Sequence, residues 1–417
     1  MDFDTVIVGA GAAGFFAALA AGQRDKRVLL VEKSNKTGVK ILMSGGTRCN
    51  ITQDTDVRGI VQAFGKNGKF LYSALSHLGP SEVIDWFESH GVPTKVESSG
   101  KIFPVSDRAV DVRNALLNAI LKIENVHLKT GLSVERIRKS DQHFETSTSR
   151  GTFTSHSVVI TTGGKSYPGC GTTGDAYPWA KMFGHQIVEP IPALTPIVSS
   201  DQWVKNLQGV TLPDVNVGVF EANDVTRISD RNFRKLALDS YRGSMLFTHF
   251  GLSGPTALNV SKQISSRTGQ NLSLVVDFLP ELEFAELEDK LLGQDNQRRT
   301  AKSFLQQFLP LNLAQTLVEN FGFAPDRKIA EMSKNDRNRL LSCLKKCEIR
   351  IEGTRGFKKA EVTSGGVDLK EVNSHTMESK LCSGLFFAGE VLDLDGRIGG
   401  YNFQSAFSTG YLAGMNV

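Results

Sequence analysis

The sequence predicts an α/β protein in which one parallel-sheet domain is split by a β-rich and helical insertion. Three observations lead to this prediction. A β-branched run, a glycine-rich turn and a helical stretch follow one another over residues 5–22. Two further apolar runs end at glycines much later, near residues 160 and 388. The region between those two runs shows alternating patterns first and helical patterns afterwards.

The composition fits two or three globular domains. The chain has 417 residues, of which 40% are hydrophobic and 22% are charged. A chain of this length usually forms more than one hydrophobic core. The formal net charge of +4 is too small to indicate a nucleic-acid binder. The N-terminus lacks the basic start of a signal peptide, and no window approaches the ~20 apolar residues of a membrane span. We therefore expect a cytoplasmic protein with no membrane or nucleic-acid partner.

The first 33 residues have the order of a Rossmann-like unit. The strand "TVIVG" runs into Gly9-x-Gly11-x-x-Gly14, a helical stretch follows, and the strand "RVLLVEK" ends at Glu32. The glycines permit a tight turn, close approach of the backbone to a pyrophosphate, and close helix packing. Glu32 is placed to accept hydrogen bonds from ribose hydroxyls, and its charge disfavours a 2′-phosphate. The motif predicts FAD or NAD in preference to NADP.

Later segments favour FAD over NAD. "SVVITTGG" ends at Gly163-Gly164, and "GLFFAGE" ends at Gly389-Glu390. An extended dinucleotide that starts on the first unit needs such segments for its ribitol and flavin. "RIGGYNFQSAFSTGYLAG" then places Gly399-Gly400 before a helix. The positive N-terminal end of that helix would stabilise the negative charge of a reduced flavin.

The predicted boundaries divide the chain into three segments. Residues 1–190 form the first part of the FAD-binding domain, and residues 356–417 form its C-terminal part. Residues 191–355 form the insertion, which is β-rich to about 280 and helical from about 281 to 350. "EPIPALTPIV" has three prolines in eight positions and indicates an extended crossing strand at the boundary. Cys343 and Cys347 are four residues apart, which predicts one helix face with buried thiols, and we expect no metal site.

With these stretches assembled, the chain resembles a bacterial NAD(P)/FAD-dependent oxidoreductase family. That family includes aminoacetone-oxidase-like and bile-acid-reductase-like flavoproteins. The resemblance rests on "GAGAAG", "GVKILMSGGTRCNIT", "TTGGKSYPGCGTTGDAY", "LFTHFGLSGP", "KAEVTSGGV", "TMESKLCSGLFFAGEVLDLDG" and "GGYNFQSAFSTG". It implies FAD and a Rossmann-like domain interrupted by an insertion. Thr47 stands where the family usually has a third glycine, so we expect φ > 0 to be less accessible there, and Ile398 replaces a usual threonine.

The motifs and the resemblance together predict the cofactor-binding residues. In the loop "KILMSGGTRCN", Gly45 and Gly46 would let the backbone approach the ribityl-pyrophosphate, and Arg48 would supply a fixed positive charge. Cys49 is interpreted as a packed thiol, because the nearest cysteine in sequence is Cys170. The full predicted set is Gly9, Gly11, Ala12, Ala13, Gly14, Glu32, Lys33, Lys40, Ser44, Gly45, Gly46, Arg48, Cys49, Asn50, Val134, Thr162, Gly163, Gly164, Gly389, Glu390, Gly399, Gly400, Tyr401 and Asn402.

The leading functional hypothesis is a flavoenzyme that moves a hydride between flavin N5 and a small organic substrate. The reaction would be reduction of a C=C bond or oxidation of an amine or alcohol, with NAD(P)H as one candidate reductant. His249, Arg48 and Tyr401 are the candidate catalytic residues, Lys165 is a rival proton donor, and a purely structural role for His249 is equally compatible. An RNA-modifying flavoprotein and a non-catalytic flavin-binding redox sensor are the alternatives. The sequence makes no prediction about the oligomeric state.

Overall fold

The computed structural model describes residues 1–417 and divides into two compact units. The first unit comprises Met1–Pro192 and Ala360–Val417, and the second comprises Ala193–Lys359. The chain therefore leaves the first unit once and returns to it once. None of the helices combines the length and the apolar character needed to cross a bilayer.

The chain up to Ala193 alternates strands and helices. Short 3₁₀ turns lie between some of them, at Ser44–Thr47, Gly65–Leu71 and Pro168–Cys170. The regular elements are β1 (Phe3–Val8), α1 (Ala12–Gly22), β2 (Val28–Val31), α2 (Val39–Met43), β3 (Thr52–Gln53), α3 (Val57–Ala63), α4 (Tyr72–His77), α5 (Pro80–Ser89), β4 (Thr94–Val96), β5 (Lys101–Pro104), α6 (Ala109–Leu121), β6 (Val126–Lys129), β7 (Val134–Lys139), β8 (Phe144–Thr148), β9 (Gly151–Ile160), α7 (Ala176–Met182) and β10 (Ile187–Ala193).

The second unit is an antiparallel barrel followed by helices. Its six strands close in the order β11-β14-β13-β12-β15-β16, and alternate residues of β12 and β15 fill the interior. Its elements are β11 (Ile197–Ser199), α8 (Gln202–Asn206), β12 (Thr211–Glu221), α9 (Phe233–Leu236), β13 (Asp239–Thr248), β14 (Gly251–Ser253), α10 (Gly254–Ser265), β15 (Leu272–Asp277), α11 (Phe284–Leu292), α12 (Gln294–Gln297), α13 (Ala301–Leu305), α14 (Leu311–Asn320), α15 (Lys334–Lys345) and β16 (Cys347–Thr354).

The structure corrects the predicted end of the helical segment. Cys343 lies in α15, but Cys347 opens β16, so the two thiols do not share a helix face. Glu348, Ile349 and Arg350 alternate between exposed and buried, as a strand requires. The helices α11–α15 therefore connect two neighbouring strands of the barrel, and β16 closes it against β15 and β11.

The C-terminal segment completes the first unit with β17 (Val362–Val367), β18 (Leu385–Phe387) and α16 (Tyr401–Asn416). β17 pairs with β10, and β18 joins the main sheet beside β9. That sheet has the order β6-β2-β1-β9-β8-β7, and β6, β2, β1, β9 and β18 are parallel. The runs of β1, β2 and β18 and the end of β9 at residues 157–160 are almost entirely buried, which is typical of parallel strands covered by helices on both faces.

Helices α1 and α16 pack with their backbones close together. A Cβ atom at Gly410 would lie 2.2 Å from the carbonyl oxygen of Ala13, and one at Gly414 would lie 2.3 Å from that of Ala17. The two glycines are four residues apart and therefore lie on one face of α16. Small residues on both helices thus bring the end of the chain against the first helix of the sheet.

Candidate cofactor site

Three glycine turns lie at the same edge of the parallel sheet. They follow β1, β9 and β18, which are neighbouring strands, so their carboxyl ends meet. Gly9 has φ +105°, and a Cβ there would lie 2.8 Å from the carbonyl oxygen of Thr161. The Thr161 hydroxyl donates to the carbonyls of Val8 and Gly9 at 2.9 and 2.8 Å. The carboxyl edge of a parallel sheet is where such folds bind ligands.

The other glycines of the first motif have different surroundings. A Cβ at Gly14 would lie 1.9 Å from the Gly9 carbonyl oxygen, so α1 can only approach β1 at a glycine. A Cβ at Gly11 would have no heavy atom within 4 Å, so this position borders open space. Helix α1 begins there with no side-chain cap and no acidic residue in its first turn. Its free N–H groups therefore face a space suited to a pyrophosphate.

Glu32 fixes the turn and keeps acceptor capacity for a ligand. Its Oε2 accepts the N–H of Ala10 at 2.9 Å, and its Oε1 accepts the N–H of Ser34 at 2.9 Å. Each carboxylate oxygen has a second lone pair, which could accept a ribose hydroxyl. The neighbouring Lys33 is paired with Asp175, with 2.5 Å between Nζ and Oδ2.

Buried polar atoms without a partner occur in the loops that follow β2 and α2 and in helix α6. They include Thr37 Oγ1, Asn50 Oδ1 and Arg113 Nε. Thr37 precedes Gly38, whose N–H donates to the Ala10 carbonyl and whose Cα faces the Arg113 side chain. A buried polar group without a partner costs about 1–3 kcal/mol. Together with the open face of Gly11, these atoms fit a polar dinucleotide.

The loop at Ser44–Asn50 contains several left-handed residues. Gly45, Gly46 and Thr47 have φ +54°, +66° and +71°, and Cys49 has φ +63°. The structure thus corrects the expectation that Thr47 would avoid positive φ. Hydrogen bonds from the N–H of Arg48 to the Gly45 carbonyl and from the N–H of Cys49 to the Ser44 carbonyl hold the turn. A β-branched residue in this conformation costs about 1–3 kcal/mol, and such strain is often found at functional sites.

Arg48 is already paired in this structure. Its guanidinium lies 4.0 Å from the ring centroid of Phe103 and binds the carboxylates of Glu97 at 2.5 Å and Asp107 at 2.7 Å. The fixed positive charge that was predicted for a phosphate or substrate is therefore neutralised by two acidic side chains. Ser44 Oγ likewise donates locally, to the Ile41 carbonyl at 2.8 Å.

Cys49 is fully buried, and that burial raises the pKa of its thiol to about 12. The thiolate is the nucleophile in thiol-disulfide chemistry, and very little of it forms at neutral pH with such a pKa. The structure therefore agrees with the interpretation of Cys49 as a packed thiol.

Glu390, after β18, is the centre of a polar cluster that sequence analysis found only in part. Its carboxylate accepts hydrogen bonds from Lys40 Nζ, Ser166 Oγ and the N–H of Thr363, the last at 2.9 Å. Lys40 Nζ also lies 2.5 Å from Ser166 Oγ. The Thr363 hydroxyl accepts the N–H groups of Lys165 and Ser166 at 2.8 and 3.0 Å. The cluster joins α2, the turn after β9, β17 and the end of β18; Ser166 and Thr363 were not predicted.

The start of α16 closes the other side of the site. Gly400 has φ +91°, and a Cβ there would lie 2.5 Å from the carbonyl of Thr52. The helix has no side-chain cap and no acidic residue in its first turn. Asn402 uses its amide group locally, accepting the N–H of Gly396 at 2.8 Å and donating to the Gly396 carbonyl at 3.0 Å. Its side chain is therefore committed to this loop.

The remaining predicted residues fall in different places. Ala12 and Ala13 form the first turn of α1, and Thr162 lies in the turn after β9. Val134 opens β7, just after Leu132, whose N–H donates to the Glu32 carbonyl at 3.0 Å. His249 belongs to the second unit, where it is exposed in the turn between β13 and β14 with its ring edge-on to Phe250. The structure thus gathers the predicted cofactor residues within the first unit, and His249 is not among them.

Comparison with known proteins gives whole-length matches. The family model "HI0933-like protein Rossmann domain" matches residues 3–416. A ribosomal RNA dihydrouridine synthase of Escherichia coli is 34% identical over 420 residues, covering 100% of this chain and 98% of the relative. A 3-dehydro-bile acid delta(4,6)-reductase of Clostridium scindens is 31% identical, with 98% and 97% covered. A solved flavocytochrome c3 fumarate reductase shares the fold, with a TM-score of 0.50 at 18% identity, over 99% of this chain and 78% of that chain.

Proposed function

The chain belongs to the HI0933-like Rossmann family of FAD-binding oxidoreductases, and we propose that it reduces a C=C bond conjugated to a carbonyl group. The proposal that FAD is the cofactor is supported by one observation: three glycine turns meet at the carboxyl edge of β1, β9 and β18. FAD is long enough to contact the first turn through its adenosine half and the later turns through its flavin half. When bound, FAD would supply a hydride.

The substrate class follows from what the relatives are named for. The Escherichia coli relative makes dihydrouridine, and the Clostridium scindens relative reduces the 4,6 double bonds of a 3-dehydro bile acid. Both names describe the addition of two hydrogens across C=C, and in both the alkene is conjugated to a carbonyl. Since both relatives align with nearly the whole chain, we infer this chemistry and not amine or alcohol oxidation for the present protein.

In this proposal the residues of the chain bind FAD and orient it. The N–H groups at the start of α1 hold the pyrophosphate, and Glu32 accepts the ribose hydroxyls. The uncapped N-terminus of α16 would lie beside the flavin pyrimidine. The positive end of the helix dipole would stabilise the negative charge of the reduced flavin there. Glu390, Lys40 and Ser166 line the turns beside the ribitol.

The proposal is tested on the purified protein. It should release FAD and not FMN on denaturation, identified by chromatography of the supernatant. The holoprotein, reduced with dithionite under anaerobic conditions, should then be reoxidised by α,β-unsaturated ketones such as cyclohexenone and not by saturated ketones. Release of FMN, or reoxidation by no conjugated alkene, would contradict the proposal.

Glu32→Ala should weaken FAD binding by about 1.5–3 kcal/mol, roughly 10- to 150-fold in Kd. The substitution removes an acceptor for the ribose and also two hydrogen bonds that hold the glycine turn. Titration of the apoprotein with FAD, followed by flavin fluorescence, measures the change. Glu124→Gln, an exposed glutamate before β6 at the opposite edge of the sheet, is the matched control. An unchanged Kd for Glu32→Ala would remove Glu32 from the site.

A second candidate substrate is a uracil base of ribosomal RNA. The 34% identity to the Escherichia coli synthase favours it, because the alignment spans the whole of this chain. The chain's formal excess of positive charge also lies entirely in residues 193–359, which contain 23 Lys and Arg against 19 Asp and Glu. Mass spectrometry of ribosomal RNA from cells with and without the gene separates this substrate from a small conjugated ketone, since only the RNA activity adds dihydrouridine.

A further inference from the structure

We propose that Arg113 supplies the positive charge that binds the pyrophosphate of the cofactor. This inference rests on the proposed function, because it concerns the same FAD site, and sequence analysis did not single out Arg113. Three observations support it: the contact of the Arg113 side chain beside the first glycine turn, its lack of any partner within the protein, and the pairing of the cations that were predicted instead.

The position of Arg113 follows from its contact with Gly38. Gly38 has φ +62° and immediately precedes α2, and its N–H donates to the carbonyl of Ala10 at 2.9 Å, within the motif from Gly9 to Gly14. A Cβ at Gly38 would lie 2.8 Å from Cγ of Arg113, so the arginine stem fills the space that a side chain would need there. With ordinary bond lengths, these two contacts place Cγ of Arg113 within about 9 Å of the Ala10 carbonyl oxygen. The guanidinium group extends beyond Cγ and has the length to reach a phosphate at this turn.

The guanidinium group of Arg113 has no partner within the protein. It forms no hydrogen bond and no ion pair, and its Nε is buried. Burial of a donor without an acceptor destabilises a folded protein, and the penalty is larger for a charged group than for a neutral one. Such a donor is explained when a ligand supplies the acceptor, and a phosphate oxygen is a strong acceptor for a guanidinium group.

A second group without a partner adjoins the same glycine. Thr37 immediately precedes Gly38, is 4% exposed, and has no hydrogen-bonding partner for its Oγ1. On the other side of Ala10, helix α1 begins with free N–H groups and no acidic residue in its first turn. Phosphate oxygens accept hydrogen bonds from backbone N–H, hydroxyl and guanidinium groups alike. A pyrophosphate at this turn would therefore provide acceptors for all three kinds of donor.

The cations that were predicted for the site are already paired with acids. The pairs are Lys33 with Asp175, Lys40 with Glu390, and Arg48 with Glu97 and Asp107. Each of these positive charges is compensated within the protein. Arg113 forms no ion pair, and a guanidinium group can bind two phosphate oxygens through parallel hydrogen bonds. Its charge is therefore available to a pyrophosphate, which carries a negative charge on each phosphate.

The test compares apoprotein of the wild type, Arg113→Met and the control Lys122→Met. Methionine keeps an unbranched apolar stem beside Gly38 but has no charge and no donor. Lys122 is exposed and follows the last residue of the same helix, so its substitution changes the net charge equally. Titration with FAD, followed by flavin fluorescence, should give a Kd about 10- to 100-fold higher in Arg113→Met only. Added NaCl should weaken FAD binding less in Arg113→Met than in the wild type, because one contact between a cation and a phosphate is missing.

Urea unfolding of the same apoproteins separates a binding role from a structural one. Removal of a buried donor that has no acceptor should not lower the urea midpoint of Arg113→Met below that of the wild type. Wild-type FAD affinity in Arg113→Met, or a weaker affinity together with a lower urea midpoint, would overturn the inference while the proposed function stands. If the wild type itself binds no FAD, the proposed function fails and the inference fails with it.

Discussion

Gly11→Val should weaken FAD binding by roughly 100-fold or more, about 2.7 kcal/mol, while the apoprotein keeps its stability. A Cβ at Gly11 meets no heavy atom within 4 Å, so the side chain enters the space assigned to the pyrophosphate without touching protein. The backbone there is extended, with φ −94° and ψ −166°, which a β-branched residue adopts readily. Binding and folding are therefore separable at this position.

The measurements are an FAD titration of apoprotein and a urea unfolding curve of the same preparation. Gly14→Val is the contrasting variant, since a Cβ there would lie 1.9 Å from the Gly9 carbonyl oxygen and α1 could not keep its place. We expect Gly14→Val to accumulate as unfolded or insoluble chain. Wild-type FAD affinity in Gly11→Val would show that the pyrophosphate lies elsewhere.

Lys345→Met should destabilise the second unit by about 3–5 kcal/mol, the usual loss when one partner of a buried ion pair is removed. The Lys345 side chain is 4% exposed. Its Nζ lies 2.7 Å from Asp277 Oδ2 and donates to the carbonyls of Leu279 and Leu282 at 2.9 and 2.6 Å. Methionine fills a similar volume but leaves the carboxylate and both carbonyls without their donor.

The loss should depend on pH in a defined direction. Burial already raises the pKa of Asp277 above its ordinary value of 3.8, and removal of the ammonium raises it further. A carboxyl whose pKa is higher in the folded state binds more protons there, so the variant loses stability as pH rises from 3.8 through the folded-state pKa. Its deficit should therefore be smallest in acid.

Urea unfolding curves at several pH values measure the effect. Lys334→Met, an exposed substitution at the start of the same helix, is the control and should change stability little. Replacing Asp277 by leucine in the Lys345→Met background should recover part of the loss, because no buried charge then remains. A deficit that is independent of pH would indicate lost packing and not an unpaired carboxylate.

Local patterns predicted those parts of the fold whose causes are local. The first strand, the motif from Gly9 to Gly14, helix α1 and the acid at Glu32 lie within one short stretch, and their order was enough to predict them. Helix α16 begins after Gly400, as expected. Cys347 was misplaced because it comes four positions after Cys343, a spacing that is found both within a helix and across a helix-to-strand junction. Cys347 belongs to a strand because the segment that it opens, β16, pairs with β15 and β11.

The polar part of the site depends on distant residues. Ser166 and Thr363 are 197 positions apart, and nothing in either segment identifies the other. The ion pairs of Arg48 were not predicted, because its partners, Glu97 and Asp107, come 49 and 59 residues later. Such contacts form only when segments that are distant in sequence come together in the folded protein, and no local sequence pattern identifies the partners.

Because α16 at the end of the chain packs on α1 near its start, the first unit can be completed only after the whole chain has been synthesised. Residues 193–359 form a continuous stretch that can collapse as soon as it has left the ribosome, whereas the site needs both β9 and β18. At 5–20 residues per second, roughly 10–45 s separate the emergence of these two strands. During that interval the exposed edge of β9 and the uncovered face of α1 are available to chaperones or to misassembly. Acquisition of FAD is thus a late step in maturation, and cofactor supply could limit the yield of active protein after translation has finished.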